Sequence, residues 1–331
     1  MKKTHLNTTV SVVLSAVSAA LIFYQYKFQP AFDFRLVAGI LGVMAWFAAM
    51  SEFVKYTSYF QFTALFLAGL VAGLSVDKIM PIPYLTIALF LVNLSMMYRY
   101  FIRKHIAEAE YQWLDPTIYL FGIIFYVLGN INNNLGWMGW VFPVAIIGMV
   151  GFIFFKNMMF GRIQTAFAKK KMGVESGKNA PLFSLPDHDG NIVSLADFIG
   201  QRNVLLIFVR GDWCPSCHMK LRTYQKHSNK FQEKNVVLFA IGPDPVGVNK
   251  EMASKLGLEF KVLADEGQKT AMAYSVQLPS SLMGEEYNPG IPLPASFLID
   301  KNGIVRYSSR PDKIGEFLNP ESIFPILQSL N

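Results

Sequence analysis

Six apolar runs fill the first half of this chain, and each approaches the length a helix needs to cross a lipid bilayer: residues 9–26, 36–54, 59–76, 83–101, 116–130 and 137–155. A hydrocarbon core about 30 Å thick takes about 20 mostly apolar residues in helical form. No water is present there to bond the backbone, so such runs become helices. The second and fifth runs are short or interrupted. The first also carries the marks of a cleavable signal: Lys2 and Lys3, an apolar stretch, then Ala16-Val17-Ser18-Ala19. Tyr24, Tyr26, Tyr56, Tyr59, Tyr98, Tyr100, Trp137 and Trp140 gather near the ends of the runs, the depth that amphipathic rings prefer.

Charge follows the same division. Only 16% of the 331 residues are charged, against about a quarter in an ordinary soluble domain. Residues 1–175 hold 14 Lys and Arg against 7 Asp and Glu, and residues 176–331 hold 16 of each. The whole net charge of +7 therefore belongs to the apolar half. A neutral second half argues against nucleic acid, whose phosphates need a basic face. Topology explains the basic residues better. With a cytoplasmic N-terminus, the inner segments hold Lys2, Lys3, Lys55, Arg99, Arg103, Lys104, Lys156, Arg162, Lys169, Lys170 and Lys171, and the outer loops only Lys27, Arg35 and Lys78. This bias predicts a multi-pass protein of the inner or plasma membrane with its C-terminal domain in the cytoplasm. Five spans starting outside, with the first run cleaved, end on the same side.

The apolar half holds no cysteine, and its histidines, His5 and His105, flank the runs. Thiol exchange and a haem relay with paired histidines inside it are therefore excluded. Asn93 and Ser95 lie mid-run and read as helix–helix hydrogen bonding; Asn130, Asn132, Asn133 and Asn134 read as a polar loop.

Residues 1–160 thus form a transmembrane domain. Residues 161–180, with Lys169-Lys170-Lys171, Gly173, Ser176, Gly177 and Pro181 just beyond, read as a basic, flexible linker. From 181 to 331 strands and helices alternate. Residues 183–185 and 192–195 flank a turn at Asp187–Asn191, and Val204–Val209 is a continuous apolar run fit for a buried central strand. Helical spacing covers about 215–233, then a second buried strand spans Val236–Ile241. A helix near 248–256, a strand near 260–263, a helix near 268–275, a hairpin at 295–307 and a helix at 320–330 complete a mixed α/β domain.

The two cysteines of the chain are three positions apart, in Trp213-Cys214-Pro215-Ser216-Cys217. Cys214 falls where a buried strand exits and a helix begins. Unpaired N–H groups and the helix dipole favour negative charge at that point, which lowers a thiol's pKa. Cys217, one turn on, faces the same side. Cys214 then reads as the attacking thiolate and Cys217 as the resolving thiol. Arg210 would lower the pKa of Cys214 and Asp212 would raise it; the sequence does not rank them. His218 reads as a surface residue of the helix.

Three segments, Val209–Cys217, Phe260–Asp265 and Leu293–Gly303, occur in an order that resembles the peroxiredoxin-like branch of the AhpC/TSA (redoxin) superfamily over residues 181–330. The resemblance implies a thioredoxin-like fold after the multi-pass helical domain, with Cys214 as the redox-active or peroxidatic cysteine. It also implies that Pro294 is a cis-proline facing the motif, leaving the Leu293 backbone open to a bound partner. Arg210, Trp213 and Pro215 support the site. Typical peroxiredoxins carry Thr or Ser where this chain has Gly211, and an arginine near the position of Pro294. Those departures favour thiol–disulfide exchange over peroxide reduction. No metal or organic cofactor is implied; electrons come from a thiol donor such as thioredoxin or glutathione, and the substrate is a disulfide or a peroxide.

Other readings of the motif carry less. Cys214 to His218 spells the attachment pattern of c-type haem, but the strand–turn–helix setting and the cytoplasmic side oppose it. Zinc would find two cysteines and His218, with no second pair. Inert cysteines would not need to stand beside Trp213 and Pro215. A redox sensor that regulates a membrane partner uses the same residues, and differs in oxidising once per stimulus instead of turning over.

Overall fold

The computed structural model describes residues 6–53, 59–77, 82–102, 114–133, 136–171, 174–282, 288–308 and 320–328. Lys55, Tyr56, Lys78, Arg103, Lys104, Asn134 and the side chains of Tyr59, Tyr98, Arg99, Tyr100 and Lys169–Lys171 lie outside the described set. The chain divides into two compact units, Met1–Met158 and Met159–Asn331.

The first unit is helical: α1 (Leu6–Phe28), α2 (Arg35–Phe53), α3 (Tyr59–Val76), α4 (Tyr84–Ile102), α5 (Leu114–Asn133) and the start of α6 (Gly136–Lys171). Among the described residues, four stretches are long and apolar enough to cross a membrane, Leu6–Phe28, Arg35–Glu52, Leu114–Asn132 and Gly136–Lys156; the apolar stretches Phe60–Val76 and Tyr84–Ser95 are shorter. Small residues let the helices approach closely, as expected where lipid supplies no hydrophobic drive between them. A Cβ on Gly73 would sit 2.6 Å from the Thr86 backbone. Trp46 and Leu65, Leu85, Leu89 and Ile146 fill the interior.

Some buried polar groups within this unit link one helix to another. Trp46 Nε1 on α2 donates to Asn93 Oδ1 on α4 at 2.8 Å, and Asn93 Nδ2 donates to Leu89 O at 2.7 Å. Asn93 is therefore a helix–helix link, as the sequence suggests. Asn130–Asn133 are not a loop: α5 continues through them. The reason is visible in α6, where Pro143 cannot donate to the carbonyl four residues earlier. That carbonyl, Gly139 O, accepts from Asn130 Nδ2 at 3.2 Å.

The second unit is built on a five-stranded sheet in the order β5-β4-β3-β8-β9. Its strands are β3 (Asn203–Phe208), β4 (Val236–Gly242), β5 (Lys261–Ala264), β8 (Ala295–Ile299) and β9 (Val305–Ser308). Two small hairpins flank it, β1 (Ser184–Pro186) with β2 (Ile192–Ser194), and β6 (Gln277–Pro279) with β7 (Gly290–Pro292). β4 runs parallel to central β3 and β8 antiparallel, giving the mixed sheet of a thioredoxin-like domain. The helices are α7 (Pro215–Lys226), α8 (Ser228–Glu233), α9 (Val246–Leu256), α10 (Lys269–Ala273) and α11 (Pro320–Gln328). Phe208, Tyr274 and Phe297 meet edge-on or tilted in the core, with ring centroids 5.0–5.8 Å apart.

Two expectations change here. The helical run at 215–233 breaks at His227, whose N–H closes onto Tyr224 O while the Ser228 hydroxyl bonds Gln225 O. Such local bonds compete with helix continuation. The flexible linker at 161–180 is also different: α6 runs on through Lys171, and Gly177 and Ala180 then donate to Val305 O and Gly303 O, each at 2.8 Å. The outer edge of β9 has backbone groups that need partners, and this segment supplies them.

Candidate redox site

β3 is buried from Val204 onward and delivers the chain to a short loop, residues 209–214, at the end of the sheet. Pro215 occupies the first turn of α7, where its missing N–H costs nothing. Cys214 is the residue capping that helix. Its sulfur accepts from Cys217 N at 3.3 Å, Ser216 Oγ lies 3.2 Å from the same sulfur, and its carbonyl receives His218 N at 3.2 Å. The Cα atoms of Cys214 and Cys217 are 5.3 Å apart, inside the usual disulfide range, and the sulfurs are at bonding distance. Both cysteines are buried, at 1% and 0%, whereas Trp213 beside them is 45% exposed. Arg210 is half-buried at the start of the loop.

The loop is anchored on three sides. Gly211 adopts φ +132°, and a Cβ there would meet Asp244 Oδ2 at 2.9 Å, so both conformation and space call for glycine. Asp244, in the turn between β4 and α9, accepts Asp212 N at 2.7 Å. The Asp212 carboxylate accepts both Lys255 Nζ, at 2.8 and 3.0 Å, and His218 Nε2 at 3.0 Å. Burial alone would raise the pKa of Asp212; the bonds from His218 and Lys255 outweigh it and hold the carboxyl below its ordinary range. Asp244 lacks such cations, and burial pushes it up.

His218 is not a surface residue. It is fully buried on the face of α7 that also carries Cys217, Leu221 and Tyr224. Burial lowers its pKa by more than Asp212 raises it. The neutral ring must then carry its proton on Nε2, facing Asp212. Nδ1 has no hydrogen-bond partner among the described residues.

Pro294 also departs from expectation. The Leu293–Pro294 bond is trans, and the cis X–Pro bond among the described residues is Asn288–Pro289. Leu293 N donates to Val276 O at 2.6 Å, extending the β6–β7 pairing, so the chain enters β8 already extended and the Leu293 N–H is not open to a partner. Pro294 is nonetheless placed near the motif. Phe208 pairs with Ala295, which sets Pro294 opposite the start of the loop. Lys255 and Asp244 are site residues that the sequence does not reveal: they lie 41 and 30 positions from Cys214, and nothing in their local sequence marks them. Among the described residues no three or more His, Cys, Asp or Glu side chains converge as a metal site would require.

A mixed thioredoxin-like sheet with a cysteine pair capping the helix after its central strand defines a thiol-dependent oxidoreductase domain. The chain belongs to the AhpC/TSA family, whose sequence model matches residues 176–308. It is 35% identical over 162 residues to peroxiredoxin Q, chloroplastic, of Oryza sativa subsp. japonica, covering 47% of this chain and 68% of that protein. It is 33% identical over 163 residues to thiol-disulfide oxidoreductase ResA of Bacillus anthracis, covering 49% and 80%. The crystal structure of peroxidoxin BcpB from Mycobacterium tuberculosis aligns at 20% identity and TM-score 0.43, covering 48% of this chain and 99% of that one.

Proposed function

We propose that this protein is a membrane-anchored thiol–disulfide oxidoreductase in which Cys214 attacks and Cys217 resolves. The Cys214 thiolate attacks one sulfur of a substrate disulfide, and the other sulfur leaves as a thiolate that takes up a proton. Cys217 then loses its proton and attacks Cys214 Sγ, releasing the second substrate thiolate and closing the pair. The substrate gains two electrons, and a dithiol donor such as thioredoxin, or glutathione, returns them to the protein. The observation that carries this reading is the capping geometry: the Cys214 sulfur receives the Cys217 N–H at the start of α7, a placement that stabilises a thiolate.

Exchange is favoured over peroxide reduction by Gly211. The position has no hydroxyl to polarise a peroxide, and Asp244 leaves no room for one. The bias of Lys and Arg toward one set of loops supports a cytoplasmic redox domain, and residues 1–160 act as its anchor, with 181–331 as the working domain. In this reading the exposed Trp213 shields the site, and Pro294, opposite the start of the loop, forms its far wall. The test is turnover by the purified full chain on a disulfide and on a peroxide, with a thiol donor, for wild type, Cys214→Ser and Cys217→Ser. Wild type turns over the disulfide and both variants lose at least about 100-fold, the scale seen when an essential nucleophile is removed. Equal rates from all three overturn the reading.

A further inference from the structure

We propose that Lys255 is a positioning residue of the redox site, balancing the charge that Asp212 carries beside Cys214 so that the Cys214 thiolate is neither repelled nor pinned. This rests on the assignment of Cys214 as nucleophile. Asp212 is two residues before Cys214; its carboxylate is held by Lys255 from α9 and His218 from α7, and its backbone N–H donates to Asp244 in the turn before α9. Arg222 of α7 adds positive charge near His218. The Lys255 side chain is only 5% exposed and touches both carboxylate oxygens. A buried ammonium is costly unless paired, so this one is committed to Asp212 and not to solvent.

A purely structural ion pair and a charge-balancing one make different predictions. Removing either partner breaks the same Lys255–Asp212 contact, so a purely structural role loosens the loop in both cases, and more in Asp212→Asn, which also loses the carboxylate that His218 bonds. The charge left behind has opposite sign: Asp212→Asn leaves the Lys255 cation unpaired against the loop that carries Cys214, and Lys255→Met leaves the Asp212 anion without it, two residues from Cys214. A nearby cation favours a thiolate and a nearby anion disfavours it.

The measurement is the pH dependence of Cys214 alkylation by iodoacetamide, in the reduced full chain carrying Cys217→Ser so that one thiol reports. Asp212→Asn lowers the alkylation midpoint and Lys255→Met raises it, each by about 0.5 pH unit or more, a threefold change in rate on the acid side. The double variant returns toward the starting midpoint, and Lys255→Arg preserves it. Shifts of the same sign, or none, overturn the proposal. If Lys255→Met does not fold, Asp212→Asn and Lys255→Arg decide alone: the first must shift downward while the second stays. Failure of the underlying assignment looks different. In that case Cys214 of the starting protein alkylates with the midpoint of an ordinary thiol, near 8.5, and Cys214→Ser leaves turnover intact.

Discussion

The backbone N–H of Cys217 points at the sulfur of Cys214 from 3.3 Å, at the first turn of the helix that follows the central strand. The two cysteines are thus joined through one helix turn, with their sulfurs at bonding distance. In the proposed exchange, the donor that stabilises charge on the Cys214 sulfur belongs to the residue whose own sulfur then bonds to it and releases the substrate thiolate. Helix geometry enforces this, because three positions return to the same face after one turn.

Gly211 holds the loop that makes this possible. Gly211→Ala must take a φ of +132° and place its Cβ against Asp244. The variant is expected to lose about 1–3 kcal/mol of stability. Thermal unfolding checks it, and an unchanged transition temperature contradicts the role given to Gly211.

Stability of the redox domain should fall on mild acidification, and His218 is one cause, beside His188, whose pKa burial also lowers. The folded pKa of His218 lies below the unfolded value of 6.5 because the ring is buried. The unfolded chain therefore binds a proton that the folded chain refuses, and stability declines as pH drops below about 6.5. Asp212 acts lower: its pKa is depressed from 3.8, so its contribution is present above that value and lost only as pH falls through the folded one. Urea midpoints between pH 8 and pH 5 should decline in wild type and stay flatter in His218→Asn. Equal slopes in the two proteins refute the assignment.

Much of the second unit is legible in the amino-acid sequence. Val204–Val209 and Val236–Ile241 announce themselves because strands buried on both faces need unbroken apolar runs. The cysteine pair is placed at a helix entrance by an apolar strand, a short loop and Pro215. What the sequence hides depends on contacts between distant residues. Hairpin β6–β7 joins three-residue strands separated by residues 280–289. His218 looks like a surface residue until Asp212 and Lys255 close over it. The pairing of Leu293 with Val276 just before Pro294 is likewise a contact that no motif encodes.

In the helical unit, Trp46→Phe leaves Asn93 Oδ1 without the indole donor it now has at 2.8 Å. Polar links between membrane helices are worth about 0.6 kcal/mol on average and up to about 1.7. A loss within that range is expected in a detergent or steric-trap unfolding measurement. No change at all would mean that the link contributes nothing.

The side of the membrane is open to a direct test. A fluorescent protein fused after Asn331 should glow in intact cells, and alkaline phosphatase at the same place should be inactive, if the redox domain is cytoplasmic. The opposite pattern reverses the topology drawn from the positions of Lys and Arg.

The central chemical claim is tested most directly by trapping. Reduced full chain carrying Cys217→Ser is mixed with oxidised glutathione and its intact mass is recorded. The account predicts one glutathione bound through Cys214, persistent in this variant, transient in wild type and missing when Cys214 is also replaced by serine. No adduct on Cys214, or an adduct equally long-lived in wild type, would contradict it.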